Sequence, residues 1–214
     1  MLVCARRLEA VGDILGALAS HVPVYLADQP VMDGIVGFHI HRGLLALAER
    51  GPGHSASELL DGLGPAATVV GVIGVSNHDN VGGIFRNAAA FGASAVLLDA
   101  TSCDPLYRKA IRVSVGGALL VPFARCPSPA TILAALAARG FEAIALTPRG
   151  EERIEAIAPG PRRALLLGAE GPGLPDEVLA RARRARIEIV AGFDSLNVAV
   201  ASGIALHALA ARPA

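Results

Sequence analysis

The sequence carries no net charge and contains only one lysine, Lys109, and three cysteines. Proteins that bind nucleic acid over a broad surface are usually basic, so with 19 basic and 19 acidic residues any nucleic-acid site must be a local patch. Cys4, Cys103 and Cys126 are far apart and form no C-x-x-C pair, which disfavours a structural zinc site and a disulfide scaffold. This use of cysteine fits a reducing cytoplasm best.

The sequence also lacks a long apolar run and an N-terminal signal peptide. Its most apolar stretch, residues 196–211, is shorter than a bilayer crossing and contains polar residues, so we expect a buried helix there. Arg6, Arg7 and Glu9 exclude a signal peptide. The 214 residues are 53% hydrophobic and 18% charged, which is typical of a globular protein with one ordinary domain and a small second one.

A turn-rich stretch at residues 50–65, RGPGHSASELLDGLGP, separates two regions. Before it, the pattern predicts a small α/β unit made of a short strand, a helix near residues 8–19, the strand VPVYLA, a helix near 31–36 and the strand LLALAE. We assign the chain to a small domain, a linker and a main domain, at residues 1–52, 53–66 and 67–214.

In the main domain, short continuous apolar runs alternate with helical patterns. Runs of this kind are typical of strands buried on both faces, so we predict a mainly parallel sheet with helices on both faces, an α/β fold. The expected strands are residues 68–75, 95–98, 119–123, 143–146, 164–167 and 187–190. The expected helices are residues 79–91, 106–113, 129–139, 175–184 and 195–211.

The segment VSNHDNVGGIFRNAAAF, residues 75–91, follows the first of these strands and opens a helix. Ligands of open α/β sheets bind at the carboxyl ends of strands, which makes Asn80 a candidate site residue. The helical neighbours of Arg86 are small, which predicts space for a second molecule beside its guanidinium; they are Gly82, Gly83, Ala89 and Ala90. A solvated surface arginine explains the same pattern. A dinucleotide-binding Rossmann protein is disfavoured, because no G-x-G-x-x-G joins strand and helix.

A second segment, LLLGAEGPGLP at residues 165–175, runs from a buried strand into a glycine-rich turn that holds one carboxylate, Glu170. The glycines permit the backbone to approach a nucleoside closely. Taken singly, this segment reads equally as an ordinary strand–helix turn with a solvated glutamate.

The third segment, IEIVAGFDSLNVAVASGIALH at residues 187–207, leads from another expected strand into an apolar helix. Ser195 or Asp194 would cap this helix, and Asn197 would lie in its first turn with its side chain reaching back to the loop. Simple capping accounts for Ser195 taken singly.

Together, in order and spacing, the three segments resemble the SpoU (TrmH-like) family of RNA 2′-O-ribose methyltransferases in the SPOUT superfamily. The family's first motif is an Asn and, after five residues, an Arg, which Asn80 and Arg86 match. Its second motif, G-x-E-G-x-G, matches residues 168–173, and its third ends in S-L-N-V, at residues 195–198. The resemblance covers residues 68–211.

The sequence departs from the family pattern at two places. The third motif usually opens Ile-Pro-Met, but Ile187, Glu188 and Ile189 stand here, and loss of the proline would alter the rigidity of the loop. Residues 23–50 resemble the tail of the small, ribosomal-protein-like RNA-binding domain that many relatives carry in front. Since those relatives have a longer leader, we expect this chain to start inside that domain.

The resemblance implies an α/β (trefoil) knot, a homodimer with sites at or near its interface, S-adenosylmethionine as cofactor, no metal, and tRNA or rRNA as substrate. It assigns the cofactor contacts to Gly168, Glu170, Gly171, Ile187, Ile189, Leu196 and Asn197. It assigns catalysis and substrate binding to Asn80, Arg86, Glu170, Ser195 and Asn197.

The reaction that the resemblance implies needs a ribose oxygen held in line with the cofactor's methyl group, and a proton removed from it. Family proposals make the arginine the base. Free arginine stays protonated far above neutral pH, so we expect Arg86 instead to bind the adjacent phosphate and stabilise the developing alkoxide. The alternative from another class is a non-catalytic RNA-binding or ribosome-assembly protein that has kept the fold.

Overall fold

The computed structural model describes residues 1–158 and 160–210, and it divides the chain into two compact units, Met1–Pro52 and Gly53–Ala214. None of the helices within the described residues is long and apolar enough to cross a membrane. The predicted end of the last helix, at Ala211, lies outside the described residues.

The first unit is a small three-stranded sheet with two short helices. In chain order its elements are β1 (Leu2–Cys4), α1 (Gly12–Gly16), β2 (Tyr25–Ala27), α2 (Gln29–Val36) and β3 (Leu44–Leu45). β1 lies in the middle, parallel to β2 and antiparallel to β3. The predicted helix over residues 8–19 forms only as a 3-10 turn and the short α1, and the glycines at the two ends of α1, Gly12 and Gly16, disfavour its extension.

The second unit is built on a seven-stranded sheet. Its strands are β4 (Ala67–Val72), β5 (Ala95–Asp99), β6 (Phe123–Cys126), β7 (Glu142–Leu146), β8 (Glu152–Arg153), β9 (Arg162–Leu167) and β10 (Arg183–Arg186). They are ordered β6-β5-β4-β9-β7-β10-β8, and each neighbouring pair in the described residues runs parallel. The prediction of a mainly parallel sheet is confirmed.

Helices cover both faces of this sheet, as predicted. They are α3 (Ala56–Asp61), α4 (His78–Ala90), α5 (Arg108–Val113), α6 (Gly117–Leu120), α7 (Pro129–Ala137), α8 (Asp176–Leu179) and α9 (Val198–Leu209). One core is formed by α4 and α9 with the sheet, around Phe85 and Leu206. A second core joins α3, α7 and α8 to the opposite face, around Leu60, Ile132 and Val178.

Residues 53–66, assigned to a linker from the sequence, hold a helix that belongs to the second unit. α3 begins with a capping box, in which the Ser55 hydroxyl accepts from the Glu58 amide at 3.1 Å and the Glu58 carboxylate accepts from the Ser55 amide at 2.9 Å. Leu59 and Leu60 are buried in the second core. The turn residues that suggested a linker therefore cap a packed helix.

Three expectations about single elements are wrong. Residues 119–123 are not a strand, because α6 occupies their start and β6 begins only at Phe123. The strand expected at 187–190 lies instead at Arg183–Arg186, and the helix expected at 175–184 is only the one-turn α8. β10 is arginine-rich, so it lacks the apolar signal of a buried strand. The α/β knot stays a prediction.

Candidate functional site

The loops that follow β7, β9 and β10 surround a cavity of about 550 Å³. These three strands are neighbours in the order β9-β7-β10, so their carboxyl ends meet at one edge of the sheet, the usual place for a ligand in this architecture. The cavity is lined by Leu146, Thr147, Pro148, Leu167, Gly168, Ala169, Glu170, Gly171, Gly173, Ile187, Ile189, Asp194, Ser195, Leu196, Asn197, Val198 and Ala201. All seven cofactor-binding candidates from the sequence are among them.

The loop after β9 is a tight turn that only glycine can make. The Gly173 amide donates to the Ala169 carbonyl at 3.0 Å, and Gly171 and Gly173 have φ of 89° and 74°, in the left-handed region. A β-carbon on Gly168 would collide with the backbone of Gly173. The turn therefore folds back on its own start and carries the exposed side chain of Glu170 next to the cavity.

Asn197 caps α9, which corrects the expectation that Ser195 or Asp194 does so. Its side-chain oxygen accepts from the amides of Ala199 at 3.0 Å and Val200 at 3.3 Å. The physical reason is that the helix begins at Val198, three residues later than the sequence pattern predicts. Ser195 is left in the loop, where it lines the cavity.

The other end of the Asn197 side chain joins the three sequence segments. Its amide nitrogen donates to Oδ1 of Asn80 at 2.8 Å and to Oε1 of Glu170 at 2.7 Å. Asn80 is only 5% exposed, in the first turn of α4. Asn80, Glu170 and Asn197 are thus brought together beside the cavity, from the first turn of α4, the loop after β9 and the loop after β10.

The loop between β4 and α4 is held by residues that the sequence analysis missed. The Gly74 amide donates to the Asp99 carboxylate at 3.0 Å, and the Val75 amide donates to the Ser102 hydroxyl at 3.1 Å. Burial raises the pKa of Asp99, but hydrogen bonds from Ser102, Thr101 and the Gly74 amide outweigh this and leave the pKa below its ordinary value. The sequence feature that could have identified these residues is the polar end of β5, in LLDATS at residues 97–102.

Arg86 lies apart from this cluster. It is exposed, does not line the cavity, and makes no hydrogen bond or ion pair with another described residue. The prediction of open space beside Arg86 is wrong on the side of α4 that carries Gly82 and Gly83. A β-carbon on Gly82 would lie 2.8 Å from the Ala110 carbonyl, and one on Gly83 would lie 2.6 Å from the Ala199 β-carbon. These two glycines let α5 and α9 pack closely against α4.

A metal site is not formed by the residues that the structure describes, since no group of three or more His, Cys, Asp or Glu side chains is placed to hold an ion. The polar side chains that line the cavity are the amide of Asn197, the hydroxyls of Thr147 and Ser195, and the carboxylates of Glu170 and Asp194. The backbone of the glycine-rich turn adds further donors and acceptors.

Comparison with known proteins identifies the domain that contains this cavity. The model of the SpoU rRNA Methylase family matches residues 67–207, which include all three segments. An uncharacterised tRNA/rRNA methyltransferase of Mycobacterium bovis is 44% identical over 208 residues, covering 94% of this chain and 70% of the relative.

Two solved structures share the fold. The SpoU methyltransferase AviRb from Streptomyces viridochromogenes, in complex with AdoMet, superposes with a TM-score of 0.84 at 19% identity, covering 98% of this chain and 80% of that one. A structure that concerns the 2-OH methylation of C/U34 on tRNA superposes with a TM-score of 0.61 at 30% identity, covering 69% of this chain and 91% of that one. The fold and the matched segments define an RNA methyltransferase domain. The chain belongs to the SpoU rRNA methylase family.

Proposed function

We propose that this protein transfers a methyl group from S-adenosylmethionine to a ribose 2′-hydroxyl of a tRNA or rRNA. The observation that carries the proposal is the pair of hydrogen bonds from Asn197 to Asn80 and Glu170 beside the cavity. These three residues were singled out by the family's motifs, and they converge in space. A solved structure at 30% identity concerns the 2-OH methylation of C/U34 on tRNA, which supports the ribose as the target.

The cavity fits the cofactor. Its volume of about 550 Å³ lies within the range of small-molecule sites, roughly 300–1,000 Å³. Apolar side chains such as Leu167, Ile187 and Leu196 suit the faces of an adenine ring, and the glycine-rich turn offers backbone groups to its edges. The bound cofactor supplies a methyl group on a cationic sulfonium, which is the electrophile.

The chain's own groups would place the ribose and handle its proton. Asn197 uses its amide nitrogen to hold Asn80 and Glu170, so the second oxygen of Glu170 and the hydroxyl of Ser195 remain available to a ribose. A carboxylate at this place can accept a hydrogen bond from the 2′-hydroxyl, orient its oxygen and take up its proton as the methyl group is transferred. Preorganised groups of this kind hold the nucleophile in line for attack.

Arg86 would act on the phosphate beside the reacting ribose and on the developing alkoxide. It is exposed and no described carboxylate neutralises it, which leaves its planar fork open to a phosphate.

Because Arg86 does not line the cavity of its own chain, we propose that the working form is a homodimer, in which a second copy can approach the site. The exposed apolar side chains of Val200 (53%) and Ile204 (38%), one turn apart on α9, supply a face for that copy.

The test is methyl transfer to RNA from cells that lack the gene, using S-adenosylmethionine with a labelled methyl group. We expect label in the RNA, and digestion to nucleosides should place it on the ribose. Label on a base would contradict the ribose assignment. RNA binding without cofactor binding or transfer would favour the non-catalytic alternative. Residues 1–52 are proposed to help bind the substrate, so the full chain is used.

A further inference from the structure

The exposed arginines of the second unit differ in whether carboxylates neutralise them. At the edge of the sheet, arginines of β10 pair with glutamates: Arg183 with Glu142 and Glu152, Arg184 with Glu151, and Arg186 with Glu188. On α5, Arg108 and Arg112 are exposed and make no side-chain hydrogen bond or ion pair with any other described residue. From residue 100 to 141 the sequence has five basic residues and one acidic residue, Asp104.

These two arginines, the α5 arginine pair, lie on one side of their helix. They are four positions apart, which places them one turn apart on the same face. The opposite side of α5 is packed, since Ala110 is buried and its carbonyl lies against Gly82 of α4. The pair therefore faces solvent.

Two contacts connect the start of α5 to the proposed methylation site. Lys109 forms an ion pair with Asp79 at 2.7 Å, and the ring of Tyr107 lies 4.3 Å from that of His78. Both partners belong to the first turn of α4, which also carries Asn80. The α5 arginine pair is thus held beside the helix turn that carries Asn80, whose side chain bonds to Asn197 next to the cavity.

We propose that the α5 arginine pair binds phosphates of the RNA strand next to the methylated nucleotide. The assignment rests on the proposed function, because it takes RNA as the substrate. Guanidinium groups match phosphates with two parallel hydrogen bonds, and an exposed pair without carboxylate partners has no competing ligand within the described residues. Since the net charge is zero, binding has to come from a local surface of this kind.

The test measures the affinity of the full chain for a labelled, mixed-sequence RNA strand of about 20 nucleotides, with KCl varied from about 50 to 200 mM. The variants are Arg108→Ala, Arg112→Ala and the double variant. Each lost phosphate contact should lower the slope of log affinity against log salt by about 0.7, or about 1.4 in the double variant. At about 0.1 M salt this corresponds to losses of about 5-fold and about 25-fold.

The matched control is Arg181→Ala, which removes an exposed arginine that also makes no side-chain contact of this kind with a described residue. It should leave the slope unchanged. Equal slopes in the wild type and the double variant would overturn the proposal. A smaller mass of the double variant in light scattering would also overturn it, because the pair would then contact a second protein copy.

Methyl transfer by the wild type separates this proposal from the one on which it rests. If the wild type transfers methyl groups and the double variant binds RNA normally, the proposed role of the α5 arginine pair is wrong and the proposed function stands. If the salt slope falls in the double variant but the wild type transfers no methyl group, the α5 arginine pair binds RNA phosphates and the proposed methyl transfer is wrong.

Discussion

The side-chain nitrogen of Asn197 lies 2.8 Å from the side-chain oxygen of Asn80, across 117 positions of the chain. The same side chain caps α9 with its oxygen. One residue therefore begins a helix and connects the loop after β10 to the first turn of α4. Its two roles can be separated by substitution.

Asn197→Ser should preserve the fold and lower methyl transfer. Serine caps helices about as well as asparagine, so the melting temperature should change little. Its hydroxyl is too short to reach Asn80 and Glu170, so these groups lose their common donor. We expect transfer to fall about 10²-fold, the scale for losing one preorganised polar group.

The companion variant is Asn197→Ala, which removes the cap as well and should cost about 1 kcal/mol of unfolding free energy. Thermal melting and initial transfer rates are measured on both proteins. If the serine variant is as active as the wild type, the hydrogen bonds to Asn80 and Glu170 are unnecessary for the reaction.

Gly168→Ala should weaken cofactor binding, because the new methyl group would collide with the backbone of Gly173 and displace the turn that lines the cavity. Overpacking of this kind costs about 1–3 kcal/mol, which corresponds to about 5-fold to 150-fold in affinity if it falls on the binding-competent turn. Calorimetry with S-adenosylmethionine measures the loss. The control is Gly62→Ala, where the nearest atoms would lie 3.6 and 3.7 Å away, and it should bind normally.

Arg86→Ala should separate catalysis from cofactor binding. The residue is exposed and does not line the cavity, so cofactor affinity should stay the same and stability should change by no more than about 0.5 kcal/mol. Transfer should fall about 10²-fold or more. Arg86→Lys should rescue poorly, since an ammonium group cannot reproduce the guanidinium fork. Full activity in the alanine variant would rule out the proposed role, and loss of folding would make the residue structural.

Asp99→Asn should destabilise the second unit at neutral pH by about 1–3 kcal/mol, because the amide presents a donor to groups that already donate. The folded pKa of Asp99 lies below its ordinary value, so its stabilisation is complete above that ordinary value and is lost as the pH falls through the folded one. The difference between wild type and variant should therefore narrow in acid. Urea unfolding at neutral pH and at about pH 3 measures this, and a constant difference would contradict it.

Val200→Glu together with Ile204→Glu should convert a dimer into a monomer. Both side chains are exposed on α9, and burying two carboxylates against a second copy without partners is unfavourable. Light scattering at micromolar concentration measures the mass. Leu47→Glu, at a leucine that is 97% exposed in the first unit, is the control and should leave the mass unchanged. A monomeric wild type would contradict the proposed assembly.

The sequence alone determined the fold class and the family. Continuous apolar runs predicted parallel strands buried on both faces. Most of the observed ends of β4, β5, β7 and β9 lie within two residues of the predicted ends. The three segments predicted the family from their order and spacing, which are properties of the chain itself, and the family match confirms it.

Only the tertiary structure decided which strand precedes the third segment, residues 187–207, and which side chain caps α9. β10 is charged because it lies near the sheet edge, where Arg183 pairs with Glu142 and Glu152, and local hydrophobicity cannot reveal a strand whose partners are carboxylates on other strands. The same limit applies to Asn197. Capping is a local property that Ser195 also satisfies, whereas the bonds to Asn80 and Glu170 exist only because neighbouring parallel strands bring their carboxyl ends to one edge.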